Sequence, residues 1–580
     1  MVHSISTQPE TAADQASVAE AFLRSLTAHG IDTVFANAGT DFAPIIEALA
    51  RLDSEPGAVP TIVTVPHENL AVAMAHGYYL TSGKPAAVIV HVTVGTGNTI
   101  CALMNAYRDR VPLLLMAGRT PHTEYGHIAS RSFPIHWGQE NFDQAGIVRE
   151  YTKWDYELRS GQHPHDILAR ALEVALAEPR GPVYLTLPRE VLADPCRVEA
   201  RVAAATRMAP AEPNEGEVQE AAKRIAAARM PVIVTSHLGR DKSAVPVLAE
   251  LADSFSIPVA QAGASAVNLP ASHPMNTGQA GGALLEESDC IVVVESEVPW
   301  FPVRFTPKQG TQIIHLGIDP LFVRYPIRSF PTDLAIAGNP KTALAKLHQA
   351  LTAKAPDPEA QRMRRQRIAE FKTERRQIFE TALQAGRNAK PISYAWVGEC
   401  IREQMPAGSI VVTELGVAAD QFELEEPGSL IGVGIGGGLG FGLGAALGAK
   451  IADRSRCVIA TVGDGSYMFA NPTPFHFVSA AAELPVLTII CNNRRWHAVD
   501  ASTRHVYPDG AAAHSKLMPL VALEPSPEFS KVAEASGAFA RKVEDPAKLP
   551  GAIRDALEAV ANGRQALLDV RVEVGDRSSG

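Results

Sequence analysis

Short, predominantly apolar runs recur along this chain, each about as long as one buried strand. Residues 33–36 (TVFA), 61–65 (TIVTV), 86–90 (AAVIV), 111–115 (VPLLL) and 183–187 (VYLTL) form a first set. They do not alternate apolar with polar residues, as strands buried on both faces would not. Helix-like segments separate them, and that alternation predicts parallel sheets covered by helices. A second set lies at 231–235 (PVIVT), 257–260 (IPVA), 290–294 (CIVVV) and 312–316 (QIIHL), and a third at 409–413 (SIVVT), 457–462 (CVIATV), 486–490 (VLTII) and 566–570 (ALLDV). The predicted fold class is α/β, with three doubly wound parallel-sheet domains at 16–195, 215–352 and 385–575. A length of 580 residues suits three large domains. Residues 209–217, rich in Pro, Ala and Glu, mark the first boundary, and 353–374 reads as a linker plus a charged helix.

Charge excludes one class of function. Lys and Arg number 53 against 63 Asp and Glu, a net charge of −10, which argues against a general nucleic-acid binder. The basic cluster at 361–376 also carries Glu370 and Glu374 and reads as a solvated helix face. Six cysteines lie far apart without a C-x-x-C pair, so neither a disulfide framework nor a zinc knuckle is expected. The polar N-terminus lacks a basic-then-apolar signal pattern, and the expected compartment is the cytoplasm. The last residues, RSSG, are expected to be disordered.

Residues 429–449 are uncharged and long enough to span a bilayer. Nine of them are glycines, each costing a helix about 1 kcal/mol relative to Ala, so no membrane span is predicted. Gly436, Gly437 and Gly438 read as a loop that something approaches closely, with a helix starting near Leu439. The stretch also holds a G-x-G-x-x-G match at Gly432, Gly434 and Gly437, with Asp453 about 20 residues on. A nicotinamide-dependent dehydrogenase is therefore a remote alternative.

The chemistry is concentrated in the third block. The run 457–462 leads into Gly463-Asp464-Gly465-Ser466, a helix-like segment follows, and the run ending at Cys491 leads into Asn492-Asn493. A carboxylate and a carboxamide thus stand at the carboxyl ends of two parallel strands, where open α/β sheets bind ligands. Asp464 and Asn493 offer the hard oxygens that Mg²⁺ shares with phosphates. Gly463 and Gly465 let backbone N–H groups reach phosphate oxygens, and Ser466 adds a hydroxyl. A tight Asp-Gly turn and an Asn turn could each arise without function. Both at matched strand ends, with 26 residues between Gly465 and Asn492, make that reading poor.

GDG, a 26-residue spacer and NN resemble the thiamin diphosphate motif of the pyruvate oxidase and decarboxylase superfamily, and the resemblance covers nearly the whole chain. It implies pyrimidine-binding, middle and diphosphate-binding domains in that order, with thiamin diphosphate and Mg²⁺ as cofactors. It further implies that Asp464, Asn493 and the carbonyl of Arg495 hold the metal. Gly416, Gly438, Leu439, Gly463, Asp464, Gly465, Ser466 and Asn493 would bind the cofactor, with Leu439 as the apolar prop beneath it. Residues 66–69 (PHEN) are similar to the family's H-E element, so Glu68 would meet the aminopyrimidine ring and support cofactor-mediated proton transfer. Glu68 and Asp464 are 396 residues apart; in the family they meet across a subunit interface, which implies a homodimer or homotetramer.

Residues 35–41 (FANAGTD) are similar to the family's N-terminal active-site loop, with Thr40 or Asp41 facing substrate, or else form an ordinary turn. Residues 91–98 (HVTVGTGN) resemble benzoylformate decarboxylase, which implies an acid–base role for His91. That enzyme also uses a histidine pair, and 298–305 (VPWFPVRF) offers no histidine; His497 is an alternative proton source. His67-Glu68 and Gln139-Glu140 look like acetohydroxyacid synthase and benzaldehyde lyase. The R-F-D-D element of FAD-binding synthases is missing, so FAD is not predicted. Trp300, Phe301 and Phe305 fit either a core or an aromatic substrate pocket. The expected activity is 2-oxo acid decarboxylation with carboligation as a side activity; the alternative is an acetolactate-synthase-like carboligase or a C–C lyase acting on an acyloin or diketone.

Overall fold

The computed structural model describes residues 15–160, 163–197, 205–279, 282–355, 357–515 and 518–574. The N-terminal residues 1–14 and the RSSG end lie outside the described residues. Each set of apolar runs forms a six-stranded parallel sheet. The first contains β1 (Thr33–Ala36), β2 (Thr61–Thr64), β3 (Ala86–Val90), β4 (Leu113–Arg119), β5 (Asp155–Glu157) and β6 (Val183–Pro188), in the order 2-1-3-4-6-5. The second contains β7 (Pro231–Thr235), β8 (Val259–Gln261), β9 (Asn276–Gln279), β10 (Cys290–Val294), β11 (Gln312–Gly317) and β12 (Leu334–Ala337), in the order 9-8-7-10-11-12. The third contains β13 (Ile410–Glu414), β14 (Leu430–Gly432), β15 (Val458–Gly463), β16 (Leu487–Asn492), β17 (Phe539–Val543) and β18 (Ala566–Arg571), in the order 14-13-15-16-18-17.

The chain divides into two compact units. One comprises the residues up to Met208 together with Ile435–Gly438, and holds the first sheet. The other comprises Ala209–Gly434 and the residues from Leu439 onward, and holds the second and third. Central strands are buried throughout: β3, β7 and β10 expose no residue. Five strands that the apolar pattern does not predict, β5, β9, β12, β14 and β17, are all edge strands. β5, β9, β12 and β17 each leave part of their length outside the core, and β14, though buried, is only three residues long, so none offers a long apolar run. The strand expected at 111–115 begins at Leu113, because Pro112 has no N–H for the ladder.

The glycine-rich stretch forms β14, a loop and α1 (Phe441–Ala452), which starts two residues later than expected and is buried over most of its length. Among the described residues no helix is long and apolar enough to cross a membrane. The basic cluster lies on a 29-residue helix, α2 (Pro358–Gly386). Most of it faces solvent, but Arg364 is buried and donates to the Phe255 carbonyl at 2.9 Å. Trp300 is core, packed edge-on against Phe305 and Phe330, whereas Phe301 is exposed. All six cysteines are free thiols.

Candidate active site

Open parallel sheets bind ligands where successive connections leave to opposite sides of one strand. In the first sheet that point lies between β1 and β3. The turn after β1 carries Thr40 and Asp41, and β3 runs into His91. His91 Nδ1 lies 2.5 Å from Asp41 Oδ1. Two glycines make the room: a Cβ on Gly39 would overlap the His91 ring, and one on Gly118, in β4, would overlap the Asp41 carboxylate. The hydrogen bond to Asp41 holds the His91 imidazole above its usual range; burial opposes this, and the negative charges of Asp41 and Glu68 add to it. His91 Nε2 faces the Gln139 amide nitrogen at 3.2 Å.

His136 behaves oppositely. Its Nδ1 accepts from the Ser132 N–H at 3.0 Å, which leaves the ring proton on Nε2, 3.2 Å from Thr40 Oγ1. Neutral His136 therefore donates to Thr40. Burial, and then the positive charges of Arg189 and Arg131, hold His136 below the usual imidazole range.

Glu68 opens a 15-residue helix, Glu68–Ser82, whose N-cap is His67; the His67 ring accepts from the Asn69 N–H at 3.2 Å. A carboxylate is favoured at a helix start. Glu68 is nevertheless buried, at 8% exposure, and accepts from Asn98 Nδ2 at 3.1 Å. The structure thus gathers Thr40, Glu68 and His91, and Asp41, which the sequence offered as an alternative to Thr40 facing substrate, with three residues whose part the sequence left unassigned: Asn98, His136 and Gln139. Asn98 closes the GTGN run, and His136 and Gln139 stand in IHWGQE, so their motifs were visible before their neighbours were.

In the third sheet the corresponding point lies between β13 and β15. Asp464 follows β15 and is 4% exposed. Its Oδ1 accepts from the Gly465 N–H at 2.9 Å and its Oδ2 from the Arg494 N–H at 2.7 Å. Burial pushes the carboxyl up to about 6, against these two amide bonds. Asn493 Oδ1 accepts from the Arg495 N–H at 3.0 Å, and the Arg495 carbonyl accepts from the His497 N–H at 2.9 Å. A Cβ on Gly465 would overlap the Trp496 ring, and the Ser466 hydroxyl is buried with no hydrogen-bond partner among the described residues.

The other predicted positions fall nearby or elsewhere. Gly416 lets the turn after β13 lie against the Thr461 backbone. Leu439 is half-buried just before α1, and His497 is half-buried at the start of the helix His497–Val506. Gly438 groups with the first unit, where both its N–H and its carbonyl are taken by the Asn105 side chain, at 3.0 and 2.7 Å. Sequence reasoning missed Glu414, which ends β13 fully buried. Its carboxylate accepts from the Gly440 and Gly442 N–H groups at 2.8 and 2.7 Å, and burial pushes it up to about 7. That carboxylate fills the start of α1, the place a dinucleotide pyrophosphate would need.

The donor set fits a metal diphosphate. Asp464, Asn493 and the Arg495 carbonyl are hard oxygens with lone pairs to spare, and the Ser466 hydroxyl is an unused donor. Three family models match the chain: the N-terminal TPP binding domain of thiamine pyrophosphate enzymes at residues 16–147, their central domain at 218–347, and their C-terminal TPP binding domain at 412–570. The chain belongs to the thiamine pyrophosphate enzymes. It is 28% identical over 568 residues to benzoylformate decarboxylase of Pseudomonas aeruginosa, covering 94% of this chain and 97% of the relative. It is 25% identical over 578 residues to the large subunit of acetolactate synthase isozyme 3 of Escherichia coli, covering 96% and 95%. Among solved structures it resembles the thiamine diphosphate-dependent 4-hydroxybenzoylformate decarboxylase of Rhodococcus jostii RHA1, with a TM-score of 0.78, 23% identity, and coverage of 96% of this chain and 99% of that one. That last likeness speaks for the fold alone.

Proposed function

We propose that this thiamine pyrophosphate enzyme is a Mg²⁺-dependent 2-oxo acid decarboxylase, with carboligation as a second outcome when an aldehyde accepts the product. The observation that carries the reading is the buried Glu68 beside the Asp41–His91 pair: a carboxyl and an imidazole, both able to move protons, within one polar pocket. When bound, thiamin diphosphate supplies the carbon nucleophile and electron sink for breaking a bond next to a carbonyl. Glu68 holds a proton at the cofactor's aminopyrimidine. Asp464, Asn493 and the Arg495 carbonyl bind Mg²⁺, Ser466 offers a hydroxyl donor to the diphosphate, and Gly463 and Gly465 let the backbone approach it. Gly416, Gly438 and Leu439 complete the cofactor's surroundings, and His497 is a further proton source. Thr40 and His136 orient the substrate, and His91 delivers a proton where carbon dioxide leaves.

We assign the three domains to residues 16–195, 215–352 and 385–575. We also infer a homodimer or homotetramer with active sites between subunits. Exposed Tyr125, Ile128, Phe133, Trp137 and Phe142 support it, since so many large apolar side chains in one loop region favour a protein partner. The second reading, an acetolactate-synthase-like carboligase, is favoured by Gln139-Glu140 and by full-length similarity to the Escherichia coli synthase.

The test is carbon dioxide release with thiamin diphosphate and Mg²⁺ over a panel of aryl, alkyl and charged 2-oxo acids, with Glu68→Gln as the control. Release that collapses in Glu68→Gln supports the decarboxylase, and the best acid names the substrate class. No release from any acid, with cofactor bound, overturns it in favour of acyloin or diketone cleavage, where no carbon dioxide is lost, and release that ends in a condensed 2-hydroxy-3-oxo acid instead of a free aldehyde overturns it in favour of the synthase-like carboligase.

A further inference from the structure

Asp41 is 3% exposed, and nothing in the proposed reaction yet uses it. One carboxylate oxygen meets His91. The other, Oδ2, lies over Gly118 and has no hydrogen-bond partner among the described residues. Burying a carboxylate with half its capacity unmet is costly, so its contact with His91 has to justify the position. Across the ring, Gln139 is firmly held. Thr93 donates to its carbonyl at 3.0 Å, and the next residue, Glu140, is anchored by Arg119, Arg131 and Thr120 at 3.0, 2.8 and 2.8 Å. The Gln139 Oε1 is buried and unpartnered among the described residues.

These facts fit a ring with two charge states. Neutral His91, its Nδ1–H on Asp41, presents a lone pair at Nε2 and takes the Gln139 NH₂. The imidazolium presents Nε2–H and takes Oε1 after the amide turns over, which gives the orphaned oxygen its partner. The other titratable groups facing His91 are Glu68, at the start of its helix, and His136, held neutral beside Thr40. Arg119, in β4, is turned away onto Glu140 and Glu157.

We propose that Asp41 is a positioning residue for His91: it pins the Nδ1 proton, so that Nε2 alone exchanges a proton with substrate while the Gln139 amide turns to match. The inference rests on the decarboxylase reading. There the bond between the carbonyl carbon and the carboxylate breaks and carbon dioxide leaves. The Nε2–H bond then breaks to form a C–H bond at that carbon, and solvent returns a proton to Nε2. The balance is one 2-oxo acid anion and one proton giving one aldehyde and one carbon dioxide.

The test uses the full-length protein with ¹⁵N-labelled histidine, with and without thiamin diphosphate and Mg²⁺. Two-bond ¹H–¹⁵N spectra report the tautomer and titration of each ring, and His91→Gln assigns the signal. The expected wild-type result is a proton fixed on Nδ1 and a midpoint above the ordinary imidazole range. Asp41→Asn should lower that midpoint by about one unit or more and let both tautomers appear. On the best 2-oxo acid, Asp41→Asn should lower kcat about tenfold or more, move the alkaline limb to lower pH, and leave cofactor affinity unchanged. In a His91→Gln background it should have no further effect. Wild-type His91 with its neutral proton on Nε2, which needs no variant to detect, overturns the proposal; so does an unchanged His91 titration in Asp41→Asn. Expected His91 spectra without carbon dioxide release from any acid would support the Asp41 assignment and sink the decarboxylase reading, so the two fail separately.

Discussion

Asp41 and His91 stand beyond the carboxyl ends of β1 and β3, while Glu414 and Asp464 stand at the carboxyl ends of β13 and β15, in a sheet of the same strand order. The two sheets therefore open the same kind of crevice, and the loops decide what it does. In the first sheet the carboxylate is met by an imidazole, which makes a proton-handling pair. In the third, both carboxylates are met by backbone N–H groups. Amides stabilise a carboxylate without cancelling its charge, so Asp464 keeps its attraction for a cation while Glu414 holds the start of α1. The second sheet shows a further solution. At its switch point His237 bonds Ser265 Oγ at 2.6 Å and Glu297 Oε1 at 2.8 Å, so both ring nitrogens are taken by side chains of the same sheet's loops.

If the first sheet handles protons and the third binds the cofactor, variants should separate the two. The largest effect is expected for Glu68→Gln: carbon dioxide release should fall about 10²–10⁴-fold while thiamin diphosphate still binds. Asp464→Asn should instead weaken cofactor binding by about 100-fold or more, since even groups behind a metal ligand cost about 10–100-fold when lost. Isothermal titration with Mg²⁺ present reads this, and a chelator should mimic it in the wild type.

The next contrast is between histidines. His476, in the third sheet's layer, is buried between Tyr467 OH and Gln565 Oε1, at 2.8 Å from each, and burial lowers it to about 4. The unfolded chain protonates this ring near pH 6.5. Between the two values the unfolded state binds more protons, so stability falls as pH falls through that window, by about 3 kcal/mol in all. Thermal unfolding at pH 7, 5.5 and 4 checks this, and His476→Gln should flatten the dependence. His91 should do the reverse. Its raised pKa keeps the protonated ring, and any activity needing it, present above the ordinary imidazole value near 6.5, with loss as pH rises through the raised value. A pH profile of kcat/KM reads this directly. The smallest effect is expected for Gly465→Ala, where the Trp496 ring must move aside and cofactor affinity should fall modestly.

What the sequence revealed follows the same division. Interior strands such as AAVIV and CIVVV were legible because burial on both faces leaves nothing polar in them. Edge strands such as DYE and NTGQ were not, because only pairing makes them strands. Asp464 and Asn493 were legible because one strand–helix–strand unit fixes their spacing. Asp41 and His91 are 50 residues apart, and only the adjacency of β1 and β3 brings them together. Glu414 lies one residue past the predicted run 409–413, and its bond to the start of α1 depends on a loop whose path no local pattern encodes.

Binding of thiamin diphosphate, with Mg²⁺ in excess, to Glu68→Gln and Asp464→Asn measured side by side tests the division of labour most directly. The account predicts near-wild-type affinity in Glu68→Gln, which is nonetheless inactive, and little or no binding in Asp464→Asn. Equal affinity in the two variants, or tight binding by Asp464→Asn alone, would contradict it.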